Sequence, residues 1–464
     1  MSRHVIFVPL AGNQARFYLS VARVLSTRGV RVSFVTFHEP SLDALTAGGF
    51  EAISAFRGRP APPRDLRDAL GRIAPFNVPD VSLTISHERA AYEIRDGAAL
   101  VMKFAGHLEG AAAALDRLAA GDRDTEVVQE VGGFLSVAAT YYAARRIGLR
   151  NTFTEPSFFR RRLFFTHNSY AAPSVDAPPR PATAEVQAYL EETLAAKRIA
   201  IPVKDQAHYR SAAKKLLSGY NVRRLVEKGL DKYVRGQQEE FDHLGGHVGR
   251  HLRMLRTARR LKPLYCELPA EPFIYYPFHV PADVALTIRA PEYYDQCALL
   301  DYLARAVPPT HLLIIKEHPA LIGAVAHSRI SDLLRRYDHI RLLRPTINNH
   351  DVLAAADAIV TINSKSGAEG LLRGRRVVAL GDSFYRASGL VATVDRPSDL
   401  PAVLRRTLAA APPAPEDIGR FFQQVYDTSY PGELYLDTPD NCEAFTASLA
   451  SSLNLTQAES AIRA

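Results

Sequence analysis

The fold class is decided by residues 5–37, which read VIFVPLAGNQARFYLSVARVLSTRGVRVSFVTF. The apolar run at 5–9 is typical of a short buried strand, and apolar residues recur at helical spacing over 14–28. Gly29 ends that helix, and 30–37 predict the next strand. Strand, helix and strand within so short a stretch form a βαβ unit, which predicts a parallel sheet covered by helices.

The same alternation of strands and helices restarts at Phe273. It predicts a second doubly wound α/β unit, and two such units in one chain normally bind a ligand between them, at the carboxyl ends of the strands. The predicted strands of this unit are FIYYPF (273–278), HLLII (311–315), IRLL (340–343), AIVTI (358–362) and VVAL (377–380).

Composition shifts divide the chain into three expected parts. An N-terminal Rossmann-like domain is expected over 1–265, and it includes a basic helical segment at about 185–262. A C-terminal Rossmann-like domain is expected over 266–410. The remaining 411–464 predict a helical tail that packs back on the N-terminal domain.

The composition excludes several protein classes and favours anionic ligands. Hydrophobic residues make up 47% of the 464 and charged residues 23%, which excludes a mostly disordered chain or a collagen-like fibre. Lys and Arg number 57 against 49 Asp and Glu, a formal charge of +8. This balance favours nucleotides, acidic or phosphorylated sugars, nucleic acid or an anionic membrane, and does not choose among them.

The cysteines and the hydropathy pattern predict a cytoplasmic protein. Cys266, Cys297 and Cys442 lie far apart with no CxxC pair, so neither a disulfide framework nor a zinc site is expected. The first apolar run is too short for a signal peptide, and no stretch reaches the roughly 20 apolar residues of a membrane span. The protein is therefore expected to be soluble or to sit on a membrane surface.

Several common site motifs are missing or weak. The chain has no GxGxxG fingerprint, no GxxxxGK[ST] phosphate loop and no GxSxG nucleophile elbow. His243, His247 and His251 are spaced four apart, but Gly245 and Gly246 interrupt the helix and neighbouring arginines would repel a cation. No metal site is expected.

The strongest local signal is TINSKSGAE at 361–369, between a predicted strand and a predicted helix. Small residues let the backbone turn tightly, and the helix start favours a phosphate. Ser364 and Ser366 can donate hydroxyl hydrogen bonds, and Glu369 can accept one from a sugar hydroxyl. The alternative is a capped helix start, with Ser366 as N-cap and Glu369 completing a capping box. The strand that follows, within GRRVVALGDSFY (374–385), favours ligand binding.

A second signal is the KEHP segment that follows the strand at 311–315. The cation of Lys316 and the imidazole of His318 would neutralise charge on a departing phosphate. The alternative is a surface lysine and a histidine that caps the loop before Pro319.

A third signal is YYPFHVPAD at 275–283, where prolines and aromatic residues fix the backbone and Asp283 supplies one carboxylate. An aspartate in this position is also typical of a turn or a helix cap. Arg289, a few residues further on, can bind a carboxylate with both ends of its guanidinium or simply pair with Glu292.

Together these segments resemble the bacterial capsule-polysaccharide synthesis proteins, which include the β-Kdo transferases (Kdo is 3-deoxy-D-manno-oct-2-ulosonic acid). The resemblance covers roughly residues 125–390. It is carried by YYPFHVPAD, by LLIIKEHP (312–319), by TINSKSGAEGLLRGRRVVALGDSFY (361–385) and by GGFLSVAATYYAARRIGLRNTFTEPSFFRRRLFF (132–165).

The resemblance implies a GT-B fold, in which the C-terminal Rossmann-like domain would bind the sugar nucleotide and the N-terminal one would lie on the acceptor side. It also implies a retaining glycosyltransferase that uses CMP-Kdo as donor and needs no separate cofactor. Asp283 would be the nucleophile of a double displacement. Lys316 and His318 would hold the CMP phosphate, and Glu369 would lie near the nucleotide or the sugar. The phosphate-binding loop would be formed by Asn363, Ser364, Ser366 and Gly367.

The partners follow from the same hypothesis. Arg289 is the candidate cation for the carboxylate of the sugar, and Glu155 and His279 are candidates on the side of a glycan or glycolipid acceptor. One alternative keeps the fold and uses another CMP-nonulosonic acid or a UDP-sugar. A second is a non-catalytic basic module at 197–262, but this stretch lacks a nucleic-acid-binding pattern, so no nucleic-acid partner is expected. In a transferase the same stretch is a candidate for docking on an anionic membrane.

Overall fold

The computed structural model describes residues 3–122, 124–198, 201–203, 219–241 and 244–454. These residues form two seven-stranded sheets, each with helices packed on both faces. The prediction of two doubly wound α/β units is therefore confirmed. Labels below follow chain order within the described residues.

The N-terminal sheet has the strand order β14-β6-β5-β4-β1-β2-β3. The pairs from β3 to β5 are parallel, whereas β6 is antiparallel to both β5 and β14. The order reverses at β1, whose neighbours are β2 and β4. The strands are β1 (His4–Phe7), β2 (Arg31–Thr36), β3 (Glu51–Ser54), β4 (Thr125–Glu130), β5 (Arg150–Pro156), β6 (Arg162–His167) and β14 (Tyr430–Pro431).

Helices flank this sheet on both sides. The longest, α6, buries one side of the sheet together with α7, whereas α1 packs on the other side against the last helix of the chain. The helices of this unit are α1 (Gly12–Thr27), α2 (Leu42–Ala47), α3 (Leu66–Ile73), α4 (Val81–Thr84), α5 (Ser86–Tyr92), α6 (Gly97–Ala119) and α7 (Leu135–Arg146). The next helix, α8 (Ala184–Ala196), packs in the cluster that covers the C-terminal sheet.

The C-terminal sheet has the order β13-β12-β11-β8-β9-β10-β7, and all of its pairs are parallel. Its central strands are apolar along nearly their whole length because both faces are covered, as is usual for a parallel sheet. The strands are β7 (Tyr265–Cys266), β8 (Phe273–Pro277), β9 (Leu312–Lys316), β10 (Ile340–Leu343), β11 (Ala358–Thr361), β12 (Arg376–Ala379) and β13 (Ala392–Thr393).

The remaining helices connect the two sheets and cover the second. The helix α18 returns to the N-terminal unit, where it packs against α1, and β14 pairs with β6 just before it. They are α9 (Gly219–Tyr233), α10 (Leu244–Leu261), α11 (Val284–Thr287), α12 (Gln296–Ala306), α13 (His327–Arg336), α14 (Asn349–Ala355), α15 (Lys365–Leu372), α16 (Leu400–Ala409), α17 (Pro415–Thr428) and α18 (Pro439–Ser452).

The two units meet across the carboxyl ends of their strands. Glu155 in β5 pairs with Arg289, and the backbone N–H of Ala172 donates to Asp382 at 2.6 Å. The ammonium of Lys365 donates to the carbonyl oxygen of Ser157 at 3.2 Å. The carboxyl edges of the sheets therefore face one another, which is the GT-B arrangement.

The basic segment lies between the two sheets in the sequence. Its described helices are α9 and α10, and part of the segment falls outside the described residues. No helix within the described ranges is long and apolar enough to cross a bilayer.

Candidate active site

The C-terminal sheet brings the three sequence motifs to one edge. Its order reverses at β8, which lies between β9 and β11, so a crevice opens beyond the carboxyl ends of these strands. Asp283 follows β8, Lys316 is the last residue of β9, and the loop 362–364 follows β11. The predicted donor residues therefore lie around one crevice.

The loop after β11 leads into α15, and the residue that caps this helix is not the one that the capping-box alternative requires. Ser364, not Ser366, is the N-cap, and its hydroxyl accepts from the backbone N–H of Ser366 at 3.2 Å. Glu369 faces Asn349 instead of the helix start, where a capping box would put it. The alternative reading of 361–369 as a capping box is therefore wrong.

Gly367 lets an aromatic ring close against this loop. Tyr385 is fully buried, and its hydroxyl donates to the carbonyl oxygen of Ser364 at 2.7 Å. A Cβ at position 367 would lie 2.4 Å from that hydroxyl oxygen. Gly367 therefore fixes the shape of the loop through packing.

His279 supports the same loop from below. Its Nε2 accepts from the backbone N–H of Asn363 at 3.2 Å, so the proton of the neutral ring is on Nδ1, which is buried without a partner. Burial, with a smaller contribution from His318, lowers the pKa of His279 to about 3. The described contacts of this side chain all lie in the C-terminal unit, and its place on the acceptor side stays a prediction.

Asn363 connects the loop to the segment that carries Asp283. Its amide donates to the carbonyl oxygen of Ala285 at 2.5 Å, whereas its Oδ1 is buried and has no partner. This unpaired oxygen at the crevice can accept a hydrogen bond from a ligand.

Lys316 and Glu369 place opposite charges beneath the loop. Lys316 is only 2% exposed, and burial lowers its pKa to about 8, opposed by the charge of Glu369. Glu369 is also buried, and burial raises the pKa of its carboxyl. Asn349 donates to both Glu369, at 2.9 Å, and the hydroxyl of Ser366, at 3.1 Å. Glu369 thus acts on the loop through Asn349, a residue that the sequence motifs did not include.

His318 lies in the electric fields of Lys316 and Asp283. Burial lowers its pKa to about 4, Asp283 opposes this shift, and Lys316 adds to it. The imidazole is therefore neutral at pH 7 and offers hydrogen bonds, whereas sequence reasoning assigned it a share in charge neutralisation. Lys316 alone of this pair supplies a cation.

Asp283 is exposed and is the N-cap of α11. Its Oδ1 accepts from the backbone N–H of Ala285 at 2.9 Å, so the predicted cap is present and the carboxylate also faces solvent. Thr287, at the other end of α11, donates to the carbonyl oxygen of Asp283 at 2.9 Å and contacts Nδ1 of His87 at 2.9 Å. A buried histidine of the N-terminal unit therefore holds the helix that carries Asp283.

The guanidinium of Arg289 forms its hydrogen bonds with residues of the N-terminal unit. Its guanidinium donates to both oxygens of Glu155, at 3.0 and 2.6 Å, and to the carbonyl oxygens of Tyr170 and Ala171. The two side chains are only 7% and 16% exposed. The alternative pairing of Arg289 with Glu292 is therefore wrong, and the pair of Arg289 with Glu155 joins the two units.

The described residues contain no group of three or more His, Cys, Asp or Glu side chains that could hold a metal ion. The weak histidine pattern lies only partly within them. His243 falls outside the described residues, and of His247 only the backbone is described.

Comparison with known proteins identifies the segment that contains these residues. Residues 177–404 match the family described as "Capsule polysaccharide biosynthesis protein". This is just under half of the chain, and it includes the segments after β8, β9 and β11.

The proteins similar to this chain include one curated relative and two solved structures. Protein FixF of Sinorhizobium fredii (strain NBRC 101917 / NGR234) is 33% identical over 121 residues, which are 26% of this chain and 29% of that protein. The β-Kdo 2,7 transferase of Thermosulfurimonas dismutans KpsC is 15% identical, with a TM-score of 0.35, over 73% of this chain and 89% of that one. Its β-Kdo 2,4 transferase is also 15% identical, with a TM-score of 0.32, over 66% and 81%.

The sequence resemblance to the capsule-polysaccharide synthesis family is thereby confirmed. It rests on the match of residues 177–404, just under half of the chain, to the family described as "Capsule polysaccharide biosynthesis protein".

Proposed function

We propose that the protein is a glycosyltransferase that moves Kdo from CMP-Kdo to a saccharide acceptor of a cell-surface glycan, and that it retains the anomeric configuration. The observation that carries the proposal is the crevice at the carboxyl edge of the C-terminal sheet. There the exposed carboxylate of Asp283 and the buried cation of Lys316 both act electrostatically on His318, which lies between them in the charge balance of the site. The family match over 177–404 and the names of the two Kdo transferases support the assignment to surface-glycan synthesis.

The crevice suits a nucleoside monophosphate donor. Lys316 supplies one buried positive charge, and Ser364 in the loop after β11 has a hydroxyl that can donate to a phosphate, whereas the unpaired oxygen of Asn363 can accept from a sugar hydroxyl. A CMP-sugar has a single phosphate, which one cation and hydrogen-bond donors can stabilise as it leaves. This match favours CMP-Kdo over a UDP-sugar, whose diphosphate needs more positive charge.

The reaction would proceed in two displacements. In the first, a carboxylate oxygen of Asp283 bonds to the anomeric carbon of Kdo while the bond from that carbon to the phosphate oxygen breaks, and CMP leaves with the electron pair. In the second, an acceptor hydroxyl bonds to the same carbon from the opposite face, the Asp283 ester bond breaks, and the hydroxyl proton passes to solvent. Neutral His318 would donate a hydrogen bond to the departing phosphate.

Intact-mass spectrometry after incubation with CMP-Kdo tests this proposal. Asp283→Asn keeps an N-cap for α11 but lacks the nucleophilic oxygen. Asp96→Ala is the matched control, because Asp96 is an exposed N-cap of α6 in the N-terminal unit. We expect an adduct of one Kdo in the wild type and in Asp96→Ala, and none in Asp283→Asn.

The other outcomes separate the parts of the proposal. CMP release with an acceptor but no adduct would keep the assignment as a transferase and discard Asp283 as a site where a covalent intermediate accumulates. Neither an adduct nor CMP release, from CMP-Kdo with or without acceptor, would overturn the donor assignment. Release of nucleotide from another CMP-nonulosonic acid or a UDP-sugar would then identify the alternative.

We further propose that α9 docks on an anionic membrane, where a lipid-linked acceptor would lie. At the end of α9, Tyr233 is 79% exposed and the following Val234 is 74% exposed, beside the basic Lys232 and Arg235. Exposed apolar side chains beside cations are typical of a membrane-surface segment. We expect the protein to sediment with vesicles that contain anionic phospholipid at low salt. No sedimentation with those vesicles would contradict the docking proposal.

A further inference from the structure

The short helix α11, which carries the proposed nucleophile at its N-cap, is held from two sides. From the C-terminal unit, the amide of Asn363 donates to the carbonyl oxygen of Ala285 at 2.5 Å. From the N-terminal unit, the hydroxyl of Ser86 donates to the carbonyl oxygen of Thr287 at 3.3 Å. Next to it, Nδ1 of His87 lies 2.9 Å from the hydroxyl oxygen of the same threonine. The loop after β11 therefore holds the start of α11, and the opposite unit holds its end.

The direction of the hydrogen bond between His87 and Thr287 follows from the other bond of the threonine. The hydroxyl of Thr287 has one proton, which it donates to the carbonyl oxygen of Asp283 at 2.9 Å. Its oxygen therefore accepts from His87, so Nδ1 of the imidazole carries the proton. Burial lowers the pKa of His87 to about 4, opposed by the charge of Glu88, so the ring is neutral at pH 7. Two hydrogen bonds in series thus lead from His87 to the backbone of the nucleophile.

The imidazole of His87 is fixed by the side chains and backbone around it. Its residue is only 4% exposed, and Phe134 contacts the ring edge to face, with ring centroids 4.8 Å apart. A Cβ on Gly133 would lie 2.3 Å from the ring, so the absence of a side chain there makes room for it. A ring held in this way gives the donor at Nδ1 one direction, as the support of a catalytic group requires.

Glu88 attaches the helix of His87 to the core of the N-terminal unit. Its carboxylate is fully buried and accepts from the ammonium of Lys103 at 3.0 and 2.9 Å. It also accepts from the backbone N–H of Leu135 at 2.9 Å. Lys103 lies in α6 and Leu135 begins α7, so α5 is bonded to both of the helices that cover this side of the sheet. His87 therefore extends from a rigid part of the N-terminal unit.

Two contacts let the N-terminal unit set the position of the nucleophile. The pair of Glu155 and Arg289 holds the chain just after α11, and His87 holds α11 itself. We propose that His87 is a positioning residue of the transfer reaction: the hydrogen bond that it donates to Thr287 holds α11 where the carboxylate of Asp283 attacks the anomeric carbon. The first displacement thus depends on a residue of the unit opposite the donor crevice. The inference deepens the proposed function and rests on it.

Substitutions on both sides of this hydrogen bond test the inference. His87→Leu and Thr287→Val each remove the bond with little change in volume, whereas the amide nitrogen of His87→Asn takes the place of Nδ1 and keeps a donor. Thr407→Val in α16 is the control for the threonine, because this buried hydroxyl also donates to the carbonyl oxygen four residues back, at 2.9 Å. His4→Leu is the control for the histidine, because His4 is buried at the amino end of β1, where it contacts Ser33 at 2.7 Å.

The rate of adduct formation from CMP-Kdo and the affinity for CMP are measured in parallel. We expect His87→Leu and Thr287→Val to slow the adduct about 10–100-fold and to leave CMP affinity within about twofold, because a misplaced nucleophile costs rate and not donor binding. The double variant should be no slower than the slower single variant, since both changes remove the same bond. His87→Asn should recover most of the rate. If CMP is released with an acceptor while no adduct accumulates, the rate of that release is compared instead.

Two further measurements separate positioning from a loss of stability. Thermal unfolding checks that each variant folds, and hydrogen exchange of the backbone amides of 284–289 should be faster in His87→Leu than in the wild type and in His4→Leu. Equal exchange in His87→Leu and the wild type would overturn the inference whichever donor is used. So would a wild-type rate in folded His87→Leu, or the same loss of rate in His4→Leu or Thr407→Val. Failure of the proposed function is distinct, because it appears in the wild type as neither an adduct nor CMP release.

Discussion

Each sheet has a switch point, where its strand order reverses, at β1 in the N-terminal sheet and at β8 in the C-terminal sheet. The two switch points have the same local topology and different side chains. At the C-terminal one, the buried Lys316 ends β9, the buried Glu369 lies in α15, and the exposed carboxylate of Asp283 begins α11. At the N-terminal one, strand ends enclose a cavity with aromatic rings, amides and the carboxylate of Glu130. Since the sheets are alike, the residues that follow each strand decide what each crevice can bind.

The two switch points also share a structural device. At each of them a glycine lets a ring close against the loop, His87 on Gly133 in one unit and Tyr385 on Gly367 in the other. The buried pair of Glu155 and Arg289 then joins the two units. The comparison suggests that each loop is built by local packing and that their relative position depends on contacts between the units.

The largest expected effect on stability comes from the pair between the units. Arg289→Ala leaves Glu155 buried without its partner, and should lower the free energy of unfolding by about 3–5 kcal/mol. The matched control is Arg329→Ala, because Arg329 also binds both oxygens of an aspartate, Asp295, but on the surface. That change should cost less than about 1 kcal/mol. Urea unfolding of both variants measures the difference, and equal losses would mean that the pair between the units has no special role.

The next effect concerns the glycines. Gly367→Ala and Gly133→Ala should each lower the free energy of unfolding by about 1–3 kcal/mol, because the new methyl group forces a buried ring to move. Gly71→Ala in α3 is the control, since nothing lies within 4 Å of its Cβ position. It should be neutral or raise stability by up to about 1 kcal/mol. Thermal unfolding measures the stability of all three variants. Unchanged stability of both Gly367→Ala and Gly133→Ala would contradict the conclusion that these glycines are needed for the packing of the rings.

The smallest expected effect is the pH dependence of CMP binding. Lys316 has a pKa of about 8 in the free protein, and a bound phosphate favours its charged form. CMP affinity should therefore be constant below that pKa and fall about tenfold per pH unit above it. Calorimetry between about pH 7 and 9.5 follows this decline, since CMP itself does not titrate there. Lys316→Arg, which stays charged, should bind CMP without the decline, and a decline of the same size in this variant would exclude Lys316 as its source.

Much of the C-terminal sheet could be predicted because its strands are continuous apolar runs. The predicted strand at 340–343 coincides with β10, and 273–278 differs from β8 by one residue. The sequence analysis did not predict β6 or β14. Only two of the six residues of β6 are buried, and β14 pairs only two residues with a strand that is distant in the sequence.

The sequence could predict only those residues of the candidate site that lie in local motifs. The positions of Asp283 and Lys316 after their strands follow from the sequence pattern, and the structure brings them to one crevice. Asn349 and His87 could not be found in this way. His87 and its partner Thr287 are 200 residues apart, and neither belongs to a motif, so only the folded chain shows that they meet.

The most direct test of the central claim, that the C-terminal switch point binds the donor nucleotide, is calorimetric titration with CMP and with UDP. The variants are Lys316→Met at the crevice and Lys262→Met, a matched change of an exposed lysine between the units. We predict that CMP binds more tightly than UDP to the wild type and to Lys262→Met, and that Lys316→Met loses about 10–100-fold in CMP affinity, the value of a charge-assisted hydrogen bond. Equal CMP affinity in the two lysine variants would contradict the account.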